Sequence, residues 1–168
     1  MKLSVRHSSQ ASVDQIYASH LEPGVREEAC RRSGALSYQV QVRPAADGSA
    51  QVEVERVLPA AVPEFARKLV GERITVRQVE NWSPADDRGV RRAEIRLTIP
   101  GQPASMVGTA ELTPNGTGSR ELITGDVKVA IPMLGRRFEP ELVKVIEAGL
   151  RIEHRVAEEW VRSSQPSD

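Results

Sequence analysis

The sequence is poor in the residues that build several common kinds of site. Cys30 is the one cysteine, so the chain can form no internal disulfide, and we expect a reducing compartment. Aromatic residues make up only 4% of the chain, which argues against stacking platforms for nucleic-acid bases. Lys and Arg number 23, as do Asp and Glu, so we expect no attraction to nucleic acid or to an anionic membrane.

Long apolar runs are also missing. No stretch approaches the roughly 18 apolar residues of a membrane helix, and residues 1–9 lack the apolar segment of a secretory signal. We therefore predict a cytoplasmic protein without stable membrane insertion. The 168 residues, 39% of them hydrophobic, suit one domain over residues 1–162 with a polar tail over 163–168.

The last periodic stretch, from Leu134 to about Arg162, predicts a long amphipathic helix. Its apolar arc covers roughly half the circumference, wider than the ~100° stripe of a helix on a flat surface. Such a helix fits a concave partner. Gly149 and Glu153 also fall within the arc, although neither is an ordinary core residue. The arc is formed by Phe138, Leu142, Val145, Ile146, Gly149, Leu150, Ile152, Val156, Ala157 and Trp160.

The rest of the chain alternates with period two, apart from its first helices. A strand over 2–8 is followed by a capping box, Ser12 to Gln15, which starts a helix over 13–20. A second helix runs from Pro23 to Arg32, and its thin apolar content predicts that most of it is solvent-exposed. Six further strands are predicted over 36–43, 51–58, 73–82, 93–99, 106–112 and 123–131. The period slips near Gln78-Val79, which predicts a β-bulge.

This order predicts an α+β fold. Clean alternation favours an antiparallel sheet with one packed face, and one long apolar helix is available to cover that face. Seven strands of this length must curve around the helix, because long sheets twist strongly. We therefore predict a seven-stranded curved antiparallel sheet that grips the C-terminal helix, with two short helices after the first strand.

Four segments carry a resemblance to a known superfamily: MKLSVRH, GALSYQVQV, RVLPAAVPEFARKLVG and IPMLGRRFEPEL. With the order of elements, they resemble the START-like superfamily (SRPBCC, helix-grip, birch-pollen-allergen-like), and within it a branch of unknown function. The resemblance extends over nearly all of residues 1–162. It implies a cavity between sheet and last helix that holds lipids, sterols or polyketides, and some members are cyclases, aromatases or dehydratases. It transfers no catalytic residue to this chain.

Small residues on the inward side of the predicted sheet and helix suggest space for a ligand. They equally suit bends in long strands or close approach of a helix to a strand. We predict a ligand site on the inward positions of the strands, the last helix and the 58–71 connection. Its predicted residues are Tyr38, Phe65, Leu69, Trp82, Ile95, Leu97, Met106, Gly108, Ala110, Gly125, Val127, Phe138, Leu142, Ile146, Gly149 and Glu153.

Polar residues at inward positions are the candidates for chemistry. Glu153 could orient a ligand hydroxyl or act as a general base, or it could pair with an arginine of the sheet such as Arg56. His7 and Tyr38 have structural readings as well, as a satisfied histidine and as a core residue. His20 is expected in a loop at a helix end and His154 on the polar face, so the three histidines are scattered and no metal site is predicted.

The connection from Leu58 to Gly71 predicts a short amphipathic helix, with Pro63 in its first turn and Gly71 as its C-terminal cap. Its apolar side, which includes Phe65, Leu69 and Val70, could form a lid over the cavity or a plug that only shields the core. Ligand-dependent protection from proteolysis would distinguish the lid from the plug.

Three functions follow from these patterns. The first is non-catalytic binding or transport of a hydrophobic small molecule, with no cofactor, no metal and no catalytic residue. The alternative is a cyclase- or dehydratase-type enzyme that uses Glu153, His7 and Tyr38, provided that these side chains converge on one cavity. A protein-interaction module is the least favoured, because the predicted outer face of the sheet has no apolar patch. The sequence leaves the ligand and the oligomeric state open.

Overall fold

The computed structural model describes residues 1–60 and 64–165, with the side chains of Phe65, Ala66 and Leu69 left out. Its strands and helices follow the predicted order. The elements are β1 (Lys2–Ser9), α1 (Val13–Leu21), α2 (Pro23–Arg32), β2 (Ser37–Pro44), β3 (Ala50–Pro59), α3 (Glu64–Val70), β4 (Arg73–Trp82), β5 (Arg91–Thr98), β6 (Ala104–Asn115), β7 (Gly118–Val129) and α4 (Gly135–Ser163).

The sheet has seven strands in the order β1-β7-β6-β5-β4-β3-β2, and every neighbouring pair is antiparallel. Strands β2 to β7 form a meander, and β1 closes against β7. Helices α1 and α2 join β1 to β2, while α4 packs against both of them and against β7 and β1. The predicted fold, a curved antiparallel sheet with a long C-terminal helix against its packed face, is confirmed.

The start of α1 is fixed by the predicted capping box. Ser12 Oγ accepts from the backbone N–H of Gln15 at 3.2 Å, and Gln15 Oε1 accepts from the backbone N–H of Ser12 at 2.9 Å. Pro23 occupies the first turn of α2, where its missing N–H costs no helical hydrogen bond.

No helix among residues 1–60 and 64–165 combines the length and the apolar character that a membrane crossing requires.

The predicted bulge in β4 is wrong. The strand pairs residue for residue with β3 from Arg73 to Trp82, so its inward side is continuous. Gln78 and Glu80 belong to that side and are 2% and 4% exposed. Two polar residues at buried positions therefore mimicked a slip of the period.

Helix α2 is also less exposed than its composition predicts. Its apolar residues Val25, Ala29 and Cys30 are buried. The first two pack against Val156 and Ala157 of α4. Arg26, a charged residue of a helix that was expected to be mostly exposed, is itself only 3% exposed. One side of α2 is therefore part of the interior, and it carries a charge into that interior.

Candidate functional site

Two adjoining cavities lie between the sheet and α4. The first has a volume of about 290 Å³ and the second about 210 Å³. They share part of their walls, and most of the wall residues are apolar. The shared wall residues are Ser33, Leu58, Ile74, Ile99, Ala104, Leu142 and Val145. The first cavity extends to Val70, Val129, Ile131 and Phe138, and the second to Val76, Leu97, Met106, Ile146 and Gly149.

The glycines of the interior have different roles. A Cβ at Gly149 would meet no heavy atom within 4 Å, so the missing side chain contributes to the second cavity. A Cβ at Gly125 would lie 3.0 Å from the Met106 side chain, which already occupies that space. A Cβ at Gly108 would lie 2.1 Å from the carbonyl oxygen of Thr124, so the backbones of β6 and β7 require glycine there.

The residues predicted to bind a ligand are distributed over several places. Phe138, Leu142, Leu97, Met106, Ile146 and Gly149 line the two cavities. Trp82, Ile95, Ala110 and Glu153 surround a separate space of about 20 Å³. Tyr38, Gly108, Gly125 and Val127 are not among the described wall residues of either large cavity. The side chains of Phe65 and Leu69 lie outside the part of the chain that the structure describes.

Glu153 is bound by two buried arginines. Its Oε1 accepts from Arg56 Nη1 at 3.0 Å, and its Oε2 accepts from Arg26 Nη1 at 3.1 Å. The three side chains are 3% to 11% exposed. The pairing with Arg56 is the structural alternative that the sequence raised, whereas Arg26, from α2, was not anticipated. Glu153 is therefore held as an ion-pair partner.

The network continues through β4. Gln78 Nε2 donates to Glu80 Oε1 at 2.7 Å, and Gln78 Oε1 accepts from Arg56 Nη2 at 2.9 Å. Glu80 Oε2 accepts from Arg26 Nη2 at 2.7 Å and from Trp82 Nε1 at 2.8 Å. Burial alone would raise the pKa of the Glu80 carboxyl, but Arg26 and these hydrogen bonds hold it below its usual range. Glu80 is therefore ionised at neutral pH.

The three histidines are not scattered, and that prediction is wrong. His20 lies within α1, 9% exposed, and its Nε2 is 3.0 Å from Glu121 Oε1. His7 and His154 stack with ring centroids 4.1 Å apart and an interplanar angle of 7°. His7 pairs with Glu121 across β1 and β7. The fold thus gathers three histidines that are distant in sequence around one buried carboxylate.

The stacked pair resists protonation. Burial, followed by the neighbouring His154, lowers the pKa of His7 to about 4, and burial likewise lowers the pKa of His154. His7 Nε2 is buried without a hydrogen-bond partner.

Among the described residues, no group of three or more metal-ligating side chains has an arrangement that could hold a metal ion.

The candidate catalytic side chains do not share a large cavity. Glu153 is held by its arginines, His7 stacks on His154, and the Tyr38 hydroxyl accepts from Arg31 Nη1 at 2.7 Å. None of the three is a wall residue of the first or the second cavity. Cys30 is fully buried, and burial raises the pKa of its thiol, so it is no activated nucleophile.

Comparison with known proteins agrees with this architecture. An uncharacterized protein of Mycobacterium tuberculosis, Rv0481c, is 27% identical over 121 residues, which are 70% of this chain and 69% of that protein. The crystal structure of TTHA0849 from Thermus thermophilus has a TM-score of 0.62 at 17% identity and covers 99% of this chain and 100% of its own. A START superfamily protein of Mycobacterium smegmatis has a TM-score of 0.56 at 15% identity, with 98% and 99% of the two chains covered.

These two likenesses show a START-like fold. A family model for a protein of unknown function matches residues 4–161, which is most of the chain. The chain therefore belongs to the family described as Protein of unknown function (DUF2505).

Proposed function

We propose that this protein binds a hydrophobic small molecule, of the lipid, sterol or polyketide class, in the two adjoining cavities, and that it does so without catalysing a reaction. The observation that carries the proposal is the pair of apolar cavities of about 290 and 210 Å³ between the sheet and α4. Ligand pockets in proteins are mostly apolar and largely preformed, and they commonly occupy a few hundred Å³.

The surrounding chemistry favours binding over catalysis. Leu58, Ile74 and Leu142 belong to the walls of both cavities, so one elongated apolar ligand can contact the two spaces. The alternative, a cyclase or dehydratase, needs a base within hydrogen-bond reach of the ligand. Since neither Glu153 nor His7 lines these cavities, no observation favours that alternative. We also propose a cytoplasmic location and no nucleic-acid partner, in line with a chain of zero net charge.

Gly149 provides the test of this proposal. The neutral fluorescent probe N-phenyl-1-naphthylamine should bind the wild-type protein with enhanced emission. Gly149→Trp should abolish that binding, because the new side chain enters the second cavity. Gly149→Ala should retain binding and stabilise α4 by about 0.5–1 kcal/mol, since glycine is unfavourable inside a helix.

A matched control places the same side chain on the exposed side of α4, as Arg155→Trp, which should leave probe binding unchanged. Native mass spectrometry of the freshly purified protein shows whether a ligand is retained from the expression host. A protein that neither retains a small molecule nor binds the probe, or a Gly149→Trp variant that binds it as well as the wild type, would contradict the proposal.

A further inference from the structure

The second cavity has a polar end. Along the inward side of β3 the wall changes from Leu58 to Arg56, and along β4 it changes from Ile74 and Val76 to Gln78. Leu58 and Ile74 are paired across the two strands and also line the first cavity. Arg56 and Gln78 therefore lie at the end of the second cavity that is remote from the first.

Arg56 and Gln78 are buried polar groups with fixed positions. They are 8% and 2% exposed, and Arg56 is the one charged residue among the described residues that line the second cavity. Arg56 donates to Glu153 and to Gln78 and has a further side-chain hydrogen bond with the Cys30 thiol, so these bonds account for three of its five N–H groups. The guanidinium is thus oriented by partners behind the cavity wall, as a preorganised donor requires.

The charges behind this wall are already balanced. Arg26 and Arg56 carry two positive charges, while Glu80 and Glu153 carry two negative charges. The adjoining Glu121, which is paired with His20, contributes a further buried carboxylate to this region. An anion bound at Arg56 would consequently leave an unbalanced negative charge in a buried region, which is unfavourable.

On these grounds we infer that the polar end of the second cavity binds an uncharged oxygen, a hydroxyl or a carbonyl, at the tip of the apolar ligand, and that it selects against a carboxylate. The inference rests on the proposed function, because it concerns the same cavity. The ligand class is then a neutral amphiphile such as a long-chain alcohol, ketone or sterol, and an ionised fatty acid is excluded from it.

Three ligands of one chain length test the inference at pH 7.5, where a free carboxylate is ionised. Decane, 1-decanol and decanoate are each titrated against protein-bound N-phenyl-1-naphthylamine. We expect 1-decanol to bind about tenfold more tightly than decane, the gain expected of a well-formed buried hydrogen bond. Decanoate should bind about tenfold more weakly than 1-decanol, or not at all.

Two variants assign the effect to Arg56. In Arg56→Met the preference for 1-decanol over decane should fall to about one. If this variant does not fold, because Glu153 loses a partner, the double variant Arg56→Met/Glu153→Met removes both charges together. Trp82→Phe is the control, since it removes a donor to Glu80 from the same network but lies outside the cavity wall.

The outcomes separate the two proposals. If neither the probe nor decane binds, the proposed function fails. If decane and 1-decanol bind equally, the cavity is a hydrophobic site and the inference about its polar end is overturned. Tighter binding of decanoate than of 1-decanol overturns the charge-balance argument, and an unchanged preference in both Arg56 variants shows that Arg56 is not the recognition group.

Discussion

Glu153 lies on a helix side that is otherwise apolar, and its two carboxylate oxygens are divided between two arginines. Arg26 has a second carboxylate partner in Glu80, whereas Glu153 is the one carboxylate partner of Arg56 among the described ion pairs. Loss of Glu153 would thus leave Arg56 buried without a counter-charge. The stability of the fold should be sensitive to this residue.

We expect Glu153→Ala to lower the free energy of unfolding by about 3 kcal/mol, because removal of one partner leaves a buried charge uncompensated. Urea unfolding followed by circular dichroism measures the change. The control is Glu147→Ala on the same helix, whose pair with Arg151 at 3.0 Å is largely exposed. That substitution should cost less than about 0.5 kcal/mol. Equal effects of the two substitutions would contradict the assigned role of the network.

The interior glycines show what the inward or outward direction of a residue, read from the sequence period, can and cannot predict. The sequence places Gly108, Gly125 and Gly149 on inward positions, which is enough to propose space inside the fold. It does not show that Met106 covers Gly125, or that the Thr124 carbonyl approaches Gly108. Both facts depend on side-chain rotamers and on the spacing of neighbouring backbones. Of these three glycines, only Gly149 faces an open space, which is one of the two alternatives that the sequence left open.

At the scale of elements, β4 explains why part of the site was missed. Strands are recognised by apolar residues at every second position, and Gln78 and Glu80 break that rule at buried positions. On helix α2, Arg26 is likewise a polar residue at a buried position. The arginines that bind Gln78 and Glu80 belong to β3 and α2, and the carboxylates that bind Arg26 belong to β4 and α4, so no local pattern marks these residues as buried. The one available signal is that Gln78, Glu80 and Trp82 keep a period of two on a single strand.

A second set of buried side-chain contacts connects β1 to α4. The rings of His7 and His154 stack, and Glu121 of β7, His20 of α1 and Arg151 of α4 act on His7 electrostatically. Because the fold holds the pKa of His7 at about 4, against 6.5 for an unperturbed histidine, the unfolded chain binds more protons between these two values. The free energy of unfolding should therefore decrease as the pH falls from 6.5 to 4.

We predict that His7→Phe reduces this pH dependence. Phenylalanine keeps a flat ring against His154 and removes the buried nitrogen that lacks a partner. Urea unfolding midpoints of the wild type should fall between pH 7 and pH 5, and those of the variant should fall less. Since burial also lowers the pKa of His154, some acid destabilisation remains in both proteins. Equal slopes for the two proteins would show that His7 does not titrate with folding.

At the scale of the whole molecule, the architecture was predictable and the cavity was not. The sequence contains seven alternating segments and a single long helix with a wide apolar arc. Few arrangements bury the apolar side of the strands and the apolar arc of the helix together, so the fold can be predicted. The cavity depends on whether side chains fill the concave side of the sheet. The sequence period shows which residues point to that side, but it does not show how much space they fill. Leu58, Ile74 and Ile99, three wall residues shared by both cavities, were therefore absent from the predicted site.

Helix α3 is the element of the first cavity's wall that a ligand should affect most. Val70, in the last position of α3, lines the first cavity, and Arg67 and Lys68 are exposed. If α3 is a lid, 1-decanol should slow tryptic cleavage at Arg67 and Lys68. Cleavage at Arg88, in the exposed β4–β5 connection, serves as the reference and should not change. Equal rates at Arg67 and Lys68 with and without ligand would favour a plug.

The Arg26 guanidinium has a consequence for the way the chain folds. It donates to the His20 carbonyl of α1, to Glu80 of β4 and to Glu153 of α4, while its own backbone belongs to α2. An intermediate with α2 docked but α4 detached would bury this cation with half of its carboxylate partners. Such intermediates are therefore raised in free energy. Equilibrium unfolding should occur as one cooperative step, in which the first and last thirds of the chain, which contain α2 and α4, unfold at the same denaturant concentration.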